Sequence, residues 1–336
     1  MLLRDPLDHD ILIDREGKVY VVVGNTHPLN YIIAYIKYVP TYKRTPWSKD
    51  GIYYERVLKV YDVRELRRNC TEYQECVYDP ILGALTPILR VKDVMHHLIP
   101  NTRLKAILKR PKDELERKLA SLCLELYSLG VSIDDLGVTG SILVGMHNPK
   151  MSDIDLVVYG WLNAKKFIEV IKHVAEPLPR TYVERVVERE FSKRGLDPRL
   201  KDHVLPICKR FMHKGTVVNV IYVNTETSRT EYSVRNLGPI EIRAKLKPTY
   251  ETICYPSTVK VVESEVIKGS KNVRISSIIS YDYFLSFLLY HSKEVLVRGI
   301  LQYVESEDAY RVLIGGAEVS WYVKPLKLIT EGAYIL

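Results

Sequence analysis

The sequence predicts an α+β protein: a central α/β domain with a small mixed sheet, flanked by β-rich N-terminal and C-terminal regions. Three observations carry this. Aromatic and β-branched runs separated by turn residues crowd both ends of the chain. Between them, Leu115, Leu119, Leu122, Leu126 and Leu129 recur at helical spacing. Two largely apolar runs, Asp153 to Tyr159 and Thr216 to Val223, then read as strands separated by helical segments. The expected division is 1–110 as a β-rich region, 111–250 as the α/β domain, and 251–336 as a small β-barrel or sandwich-like domain.

In the first region, Lys18 to Val23, Tyr31 to Val39 and Tyr53 to Tyr61 are strand candidates. Gly24-Asn25-Thr26-His27-Pro28 is a turn, which makes His27 a structural loop residue. Val63 to Arg68 reads as a short basic helix, and Pro80 to His97 alternates apolar clusters with turns. His96 and His97 are adjacent, so they point in different directions and are read as structural rather than as a metal pair. In the central region, Pro111 suits the first position of the leucine helix and Gly130 its end. Asn163 is placed to cap a helix carrying Phe167, Ile168, Ile171 and Val174, which Pro177 and Pro179 end. Thr181 and Glu184 form a capping-box pattern for a charged helix ending near Gly195. Asp197-Pro198 starts another, interrupted at Pro206, and Lys214-Gly215 is a turn. Residues 224–254 carry no clear period. Val259 to Ile267, Val273 to Ile279, Val295 to Val304, Tyr310 to Ile314 and Val319 to Val323 are the C-terminal strands, with Tyr283 to His291 as a lone helix.

Composition narrows the function classes. With 336 residues, 46% hydrophobic and 27% charged, the chain can bury a core and is not a disordered one. A net charge of +8 favours a polyanionic partner, nucleic acid or nucleotide phosphates. The opening MLLRDPLDHD lacks the apolar core of a signal peptide, and runs such as Tyr31 to Ile36 are far too short to span a bilayer. The expectation is a cytoplasmic protein without a membrane partner. Five scattered cysteines with no CxxC are expected as buried reduced thiols. Cys208 between His203 and His213 is too sparse a set for a metal. With 24 tyrosines and only Gln74 and Gln302 as glutamines, the composition leans toward a thermophile.

The chemistry concentrates in GVTGSILVGMHNPKMSDIDLVVYG, Gly137 to Gly160. On a strand, Ile154, Leu156 and Val158 face one side and Asp153 and Asp155 the other. Two carboxylates on one face repel and are costly to desolvate, and a divalent cation relieves both. Hard oxygen ligands suit Mg²⁺ or Mn²⁺. Gly140-Ser141 is the complementary part: glycine allows close backbone approach, and a short helix opened by Ser141 would offer amides and a hydroxyl to phosphate. Lys150 and Ser152 lie beside the carboxylates and are candidates for phosphate contact or for ordering the loop.

A Gly-Ser after a strand, eleven intervening residues, and Asp153-Ile154-Asp155 at the head of the next strand resemble the DNA polymerase β-type nucleotidyltransferase superfamily, as an uncharacterised archaeal-looking branch. The likeness covers residues 111–223. It implies a nucleotidyltransferase α/β domain at the centre, with Asp153 and Asp155 as catalytic metal ligands. Ser141 would grip the β- and γ-phosphates of a nucleoside triphosphate. A hydroxyl on RNA, protein or a small molecule would attack the α-phosphorus and release pyrophosphate. The family's third carboxylate falls on the strand Thr216 to Val223, where this chain has Asn219, whose amide oxygen can ligate a metal but brings no charge and is no base. Glu226 and Glu231 follow shortly after, and either is a candidate to substitute for it. Three readings follow: an active enzyme, a degenerate nucleotide- or RNA-binding protein, and a nucleic-acid-binding protein working through its tyrosine-rich β regions.

Overall fold

A computed structural model describes residues 2–58, 70, 73–229, 233–270 and 273–329. The helix expected over Val63 to Arg68, and Glu231, lie outside these. Strand takes 40% of the described residues against 28% for helix, and the largest layers among them are an eight-stranded curled sheet and a closed five-stranded barrel. This overturns the expected fold class of a central nucleotidyltransferase α/β domain with β-rich flanks. The regions read as flanks form the two largest sheets, and the small mixed sheet between them is a minor layer. No helix among the described residues is long and apolar enough to cross a membrane.

The first layer contains β1 (Ile11–Ile13), β2 (Val19–Val22), β4 (Tyr31–Thr41), β5 (Trp47–Lys49), β6 (Ile52–Arg56), β7 (Cys76–Asp79), β8 (Ala84–Arg90) and β9 (His96–Leu98), while β3 (Thr26–His27) lies outside it in a two-stranded ladder. Its order is β5-β6-β4-β2-β1-β9, with β8 added to β4 and β7 to β8. β4 alternates Ile32, Ala34 and Ile36 into one core, while Tyr35 and Tyr38 join the apolar cluster on the other side. That switch of period occurs where Val19 pairs with Tyr38 and Tyr20 with Ile36, leaving Lys37 as the extra residue of a bulge. His97 is buried against the Asp10 carboxylate at 2.9 Å, whereas His96 is exposed, so the two do diverge. Cys70 and Cys76 form a disulfide, correcting the expectation of five reduced thiols. The other three, Cys123, Cys208 and Cys254, are free and buried, and burial pushes each thiol up to about 12. They are unreactive at neutral pH.

The middle of the chain supplies α1 (Pro100–Lys109), α2 (Glu114–Ser128), β10 (Leu136–Val138), α3 (Gly140–Val144), β11 (Ile154–Tyr159), α4 (Trp161–Val170), α5 (Arg180–Val186), α6 (Ser192–Arg194), α7 (Lys201–Val204), β12 (Arg210–His213) and β13 (Thr216–Val223). The four strands pair in the order β10-β11-β13-β12, with β11 and β13 parallel. Ile154, Leu156, Val158, Val218 and Val220 pack on Leu119, Leu122 and Leu126 of α2 and Phe167 of α4. α2 starts after Asp113, whose side chain caps Glu116 N, rather than at Pro111. Asn163 lies inside α4 and braces Ser132 and Asp135 instead of capping. At α5 the expected capping box is absent: Pro179 precedes the helix without a side-chain cap, and Glu184 pairs with Arg180.

The remaining elements are β14 (Ser228–Arg229), which pairs with β3, then β15 (Val234–Lys247), β16 (Ser257–Lys268), β17 (Ile275–Ser280), α8 (Ser286–Tyr290), β18 (Ser292–Val304), β19 (Ala309–Ile314) and β20 (Tyr322–Leu328). The five strands β15-β16-β17-β19-β18 close on themselves through β15–β18, and β20 adds to β18. The barrel thus begins at Val234, ahead of the boundary read at 250. α8 joins layers: Leu288 and Leu289 fill the barrel core, while Phe287 and Tyr290 enter the core of the four-stranded sheet.

The turn between β7 and β8 docks into the barrel. Ile81 O accepts from buried Arg311, Leu82 O from Tyr281 Oη (2.7 Å) and Gln302 Nε2, and Gly83 O from Asn236 Nδ2 (2.9 Å). The first layer and the last are tied by four chain-distant hydrogen bonds around carbonyls that would otherwise be orphaned.

Candidate functional site

The parallel pair β11–β13 has two faces of opposite character. One is the apolar face on α2 and α4. On the other, Val157, Tyr159, Ile221 and Val223 are covered by Leu7 from the N-terminal segment. At the N-terminal end of that second face the apolar residues stop, and Asp153, Asp155 and Asn219 take their place. Asp155 is directly opposite Asn219 in the register.

The three side chains converge. Asn219 Nδ2 donates to Asp153 Oδ2 at 2.6 Å and to Asp155 Oδ1 at 2.9 Å. Its own Oδ1 is buried without a partner. The surrounding protein desolvates the Asp153 carboxyl and the Asp155 charge repels it, so its pKa is raised. The Asn219 hydrogen bond and the Lys37 ammonium pull it partly back. Asp153 nevertheless reaches solvent.

Gly140 meets this group from the other side. Its φ is +67°, and a Cβ built there would lie 2.2 Å from Asp155 Oδ2, so only glycine lets the backbone pass the carboxylate. Thr139 N donates to Asp155 O at 2.9 Å, and Thr139 Oγ1 to His9 O at 2.7 Å. Ser141 follows in the first turn of α3 and is largely buried. The structure therefore brings Gly140, Ser141, Asp153, Asp155 and Asn219 together. Ser152 Oγ instead accepts from Asn148 N at 3.0 Å and orders the loop, and Lys150 is exposed on that loop. Glu226 is exposed beyond β13, its carbonyl held by Asn25.

Lys37 escaped the sequence reading. The signal was there: a single lysine inside an otherwise apolar and aromatic strand, YIIAYIKYVP. The bulge and the packing of Tyr38 with Leu143 and Val144 of α3 direct this part of β4 to the site.

The donor set suits a divalent cation. Two carboxylates and an amide oxygen are hard ligands, and the Asn219 amide now sits between the carboxylates with its unpartnered oxygen turned away. Turning the amide over would offer Oδ1 to a cation in place of the Nδ2 donor. A second grouping with metal-ligand chemistry is Asp113, Glu116 and His147. Its carboxylates are already engaged: Glu116 by Arg103 and by Lys112 N, and Asp113 by Glu116 N and His147 Nε2. Arg103 Nε also donates to Ile142 O at 3.2 Å, so this cluster braces α3 and the loop after it. The Cys208 group dissolves: His213 bonds Glu125, and His203 meets the His291 ring edge to face.

Comparison with known proteins adds one relative. An uncharacterised protein of Methanocaldococcus jannaschii is 25% identical over 348 aligned residues, covering 91% of this chain and 94% of its own. No family model matches, and no solved structure matches.

Proposed function

We propose that this chain binds a nucleoside triphosphate with Mg²⁺ or Mn²⁺ and transfers its nucleoside monophosphate to a hydroxyl acceptor. The observation that carries this is the convergence of Asp153, Asp155 and Asn219 on one point beside Gly140-Ser141. In this reading Asp153 and Asp155 hold the cation, with Asn219 Oδ1 as a neutral third ligand. Ser141 donates its hydroxyl to the β- and γ-phosphates, and Gly140 lets the backbone come close enough for amides to join it. Lys37 adds positive charge from the N-terminal sheet. The bound cation would neutralise phosphate charge and favour attack at the α-phosphorus. The chain's own work is to hold the triphosphate in line with the acceptor.

A second reading, nucleotide binding without turnover, is favoured by Asn219 itself, which cannot take a proton from the attacking hydroxyl. One experiment separates them. The protein is incubated with each α-labelled nucleoside triphosphate, Mg²⁺ or Mn²⁺, and total RNA, and compared with the Asp153→Ala/Asp155→Ala variant. Label transfer reduced at least a hundredfold in the variant supports the enzyme. Metal-dependent binding in equilibrium dialysis without transfer supports the second reading, and absence of metal-dependent binding overturns both.

A further inference from the structure

We propose that Arg210 and Tyr182 form the acceptor subsite of the metal centre, and that the acceptor is a hydroxyl compound carrying a phosphate ester. This rests on the nucleotidyl-transfer reading above and adds the chemical class of the molecule that receives the nucleoside monophosphate.

The first argument is position. β12 runs antiparallel to β13 and sets Arg210 directly opposite Asn219, so the two side chains leave the same face of the sheet. Asn219 is in turn opposite Asp155, and Gly140 meets Asp155 from the far side. Gly140, Asp155, Asn219 and Arg210 thus follow one another in the strand order β10-β11-β13-β12. With strands about 4.8 Å apart, the Arg210 backbone is roughly 10 Å from that of Asp155, and farther still from Ser141. In the proposed transfer Ser141 holds the β- and γ-phosphates, so pyrophosphate departs toward that end of the row. Displacement at phosphorus is in line, so the bond from the acceptor oxygen to the α-phosphorus forms on the side opposite the bond that breaks. The α–β bridging oxygen keeps the bonding pair and leaves with pyrophosphate. The acceptor proton passes to water, because Asn219 cannot take it. The acceptor therefore enters from the Arg210 end of the row.

The second argument is charge. Arg210 makes no ion pair among the described residues, and its Nη1 donates instead to the Tyr182 hydroxyl of α5 at 3.2 Å. The carboxylates around it are matched elsewhere. Asp153 and Asp155 share the Asn219 amide, and a divalent cation would balance their charge. Glu184, on the same helix as Tyr182, is held by Arg180 at 2.8 Å. Behind the strand, the buried Lys209 ammonium repels the Arg210 charge, and Asp282 beyond it is engaged by Arg194 at 2.5 Å. A half-buried guanidinium with one neutral partner thus stands where the acceptor enters. Its planar fork can take two phosphate oxygens at once, and the Tyr182 hydroxyl keeps its own hydrogen to donate to the same group. A neutral hydroxyl compound would leave the guanidinium charge unmatched.

The test is titration calorimetry of the full chain saturated with Mg²⁺ and a nucleoside triphosphate whose α–β bridging oxygen is replaced by methylene, so that binding is read without transfer. A short RNA with a free 3′-hydroxyl, ribose 5-phosphate and ribose are added in turn. The wild type is expected to bind a phosphate-bearing compound and to bind ribose far more weakly. Arg210→Ala should weaken that binding roughly tenfold or more. Arg210→Lys keeps the charge but loses the fork, and should recover part of it. Neither variant should alter the affinity for the triphosphate, and unchanged thermal melting would show that both fold. Binding of the RNA without ribose 5-phosphate assigns the phosphate to a strand end, and the converse assigns it to a small molecule. Ribose bound as tightly as the phosphate-bearing compounds, acceptor affinity unchanged in Arg210→Ala, or a loss confined to the triphosphate would overturn the proposal. A wild type that binds the triphosphate but neither phosphate-bearing compound overturns it while leaving the metal site standing. A wild type that binds no triphosphate overturns both.

Discussion

Asn219 is the residue on which the reading of the site turns. Its amide does in this structure what a cation would do, linking two carboxylates that repel each other. Asn219→Asp removes that link and adds a third negative charge. In the presence of EDTA this variant should melt several degrees below the wild type. Mg²⁺ should recover the loss, and label transfer should rise at least tenfold if the missing carboxylate limits turnover. A raised carboxyl pKa means that the folded chain holds its proton more tightly than the unfolded one. Ionisation of Asp153 therefore weakens the fold as pH rises through that raised value, and its cost is fully present above it. Lys209 shows the opposite sign. It is buried between the four-stranded sheet and α8, its ammonium donating to the carbonyls of Tyr283 and Phe284. Burial lowers its pKa to about 7, with Arg210 adding repulsion. The unfolded chain then holds the proton more tightly, so stability should rise from about pH 7 toward pH 10. Urea midpoints at pH 7 and 9.5 should show this, and Lys209→Met should flatten the slope, which is limited to about 1.4 kcal/mol per pH unit.

Among elements, α3 is closely constrained at its start. Gly140 combines a left-handed φ with contact against Asp155. Gly140→Ala should cost roughly 2–4 kcal/mol, since backbone strain and displacement of a packed carboxylate add. It should also lower nucleotide affinity at least tenfold, read by calorimetry with Mg²⁺. This element and its neighbours were legible in the sequence, because their signals are local. β13 spans Thr216–Val223 as read and β11 begins one residue after Asp153, whereas the pairing of Asn219 with Asp155 comes from the structure. Other elements were hidden for definite reasons. α1 carries only Leu104 and Ile107 inward behind Pro100, too few for a periodic signal. The first half of β15 carries Gly238 and Pro239 after Arg235 and Asn236, so its later alternation of Ile242, Ala244 and Leu246 inward with Arg243, Lys245 and Lys247 outward was obscured. Asn163 passed for a cap because its residue type favours that role, whereas its partners lie about thirty residues earlier in the chain.

At the scale of the whole molecule, the misjudged quantity was how the β regions assemble. Individual C-terminal strands were readable, but closure depends on β15 meeting β18, a pairing no local pattern encodes. The same holds for the docked turn of β7–β8. Gly83 has φ +64°, and a Cβ there would lie 2.7 Å from both Gln302 Nε2 and Val234 Cγ2. Gly83→Ala should therefore cost roughly 2–4 kcal/mol and separate the melting of the N-terminal sheet from that of the barrel, seen as two calorimetric transitions where the wild type gives one. That docking also sets an order of events during synthesis. Ile81 waits for Arg311, 230 residues later, so the turn emerges from the ribosome long before its receptor exists. At roughly 5–20 residues per second, the delay is about ten to forty-five seconds. Until Asn236, Tyr281 and Arg311 emerge in turn, the carbonyls of Gly83, Leu82 and Ile81 lack these partners. Nascent chains stalled before residue 311 should be cleaved by protease at this turn, and released full-length chains should resist.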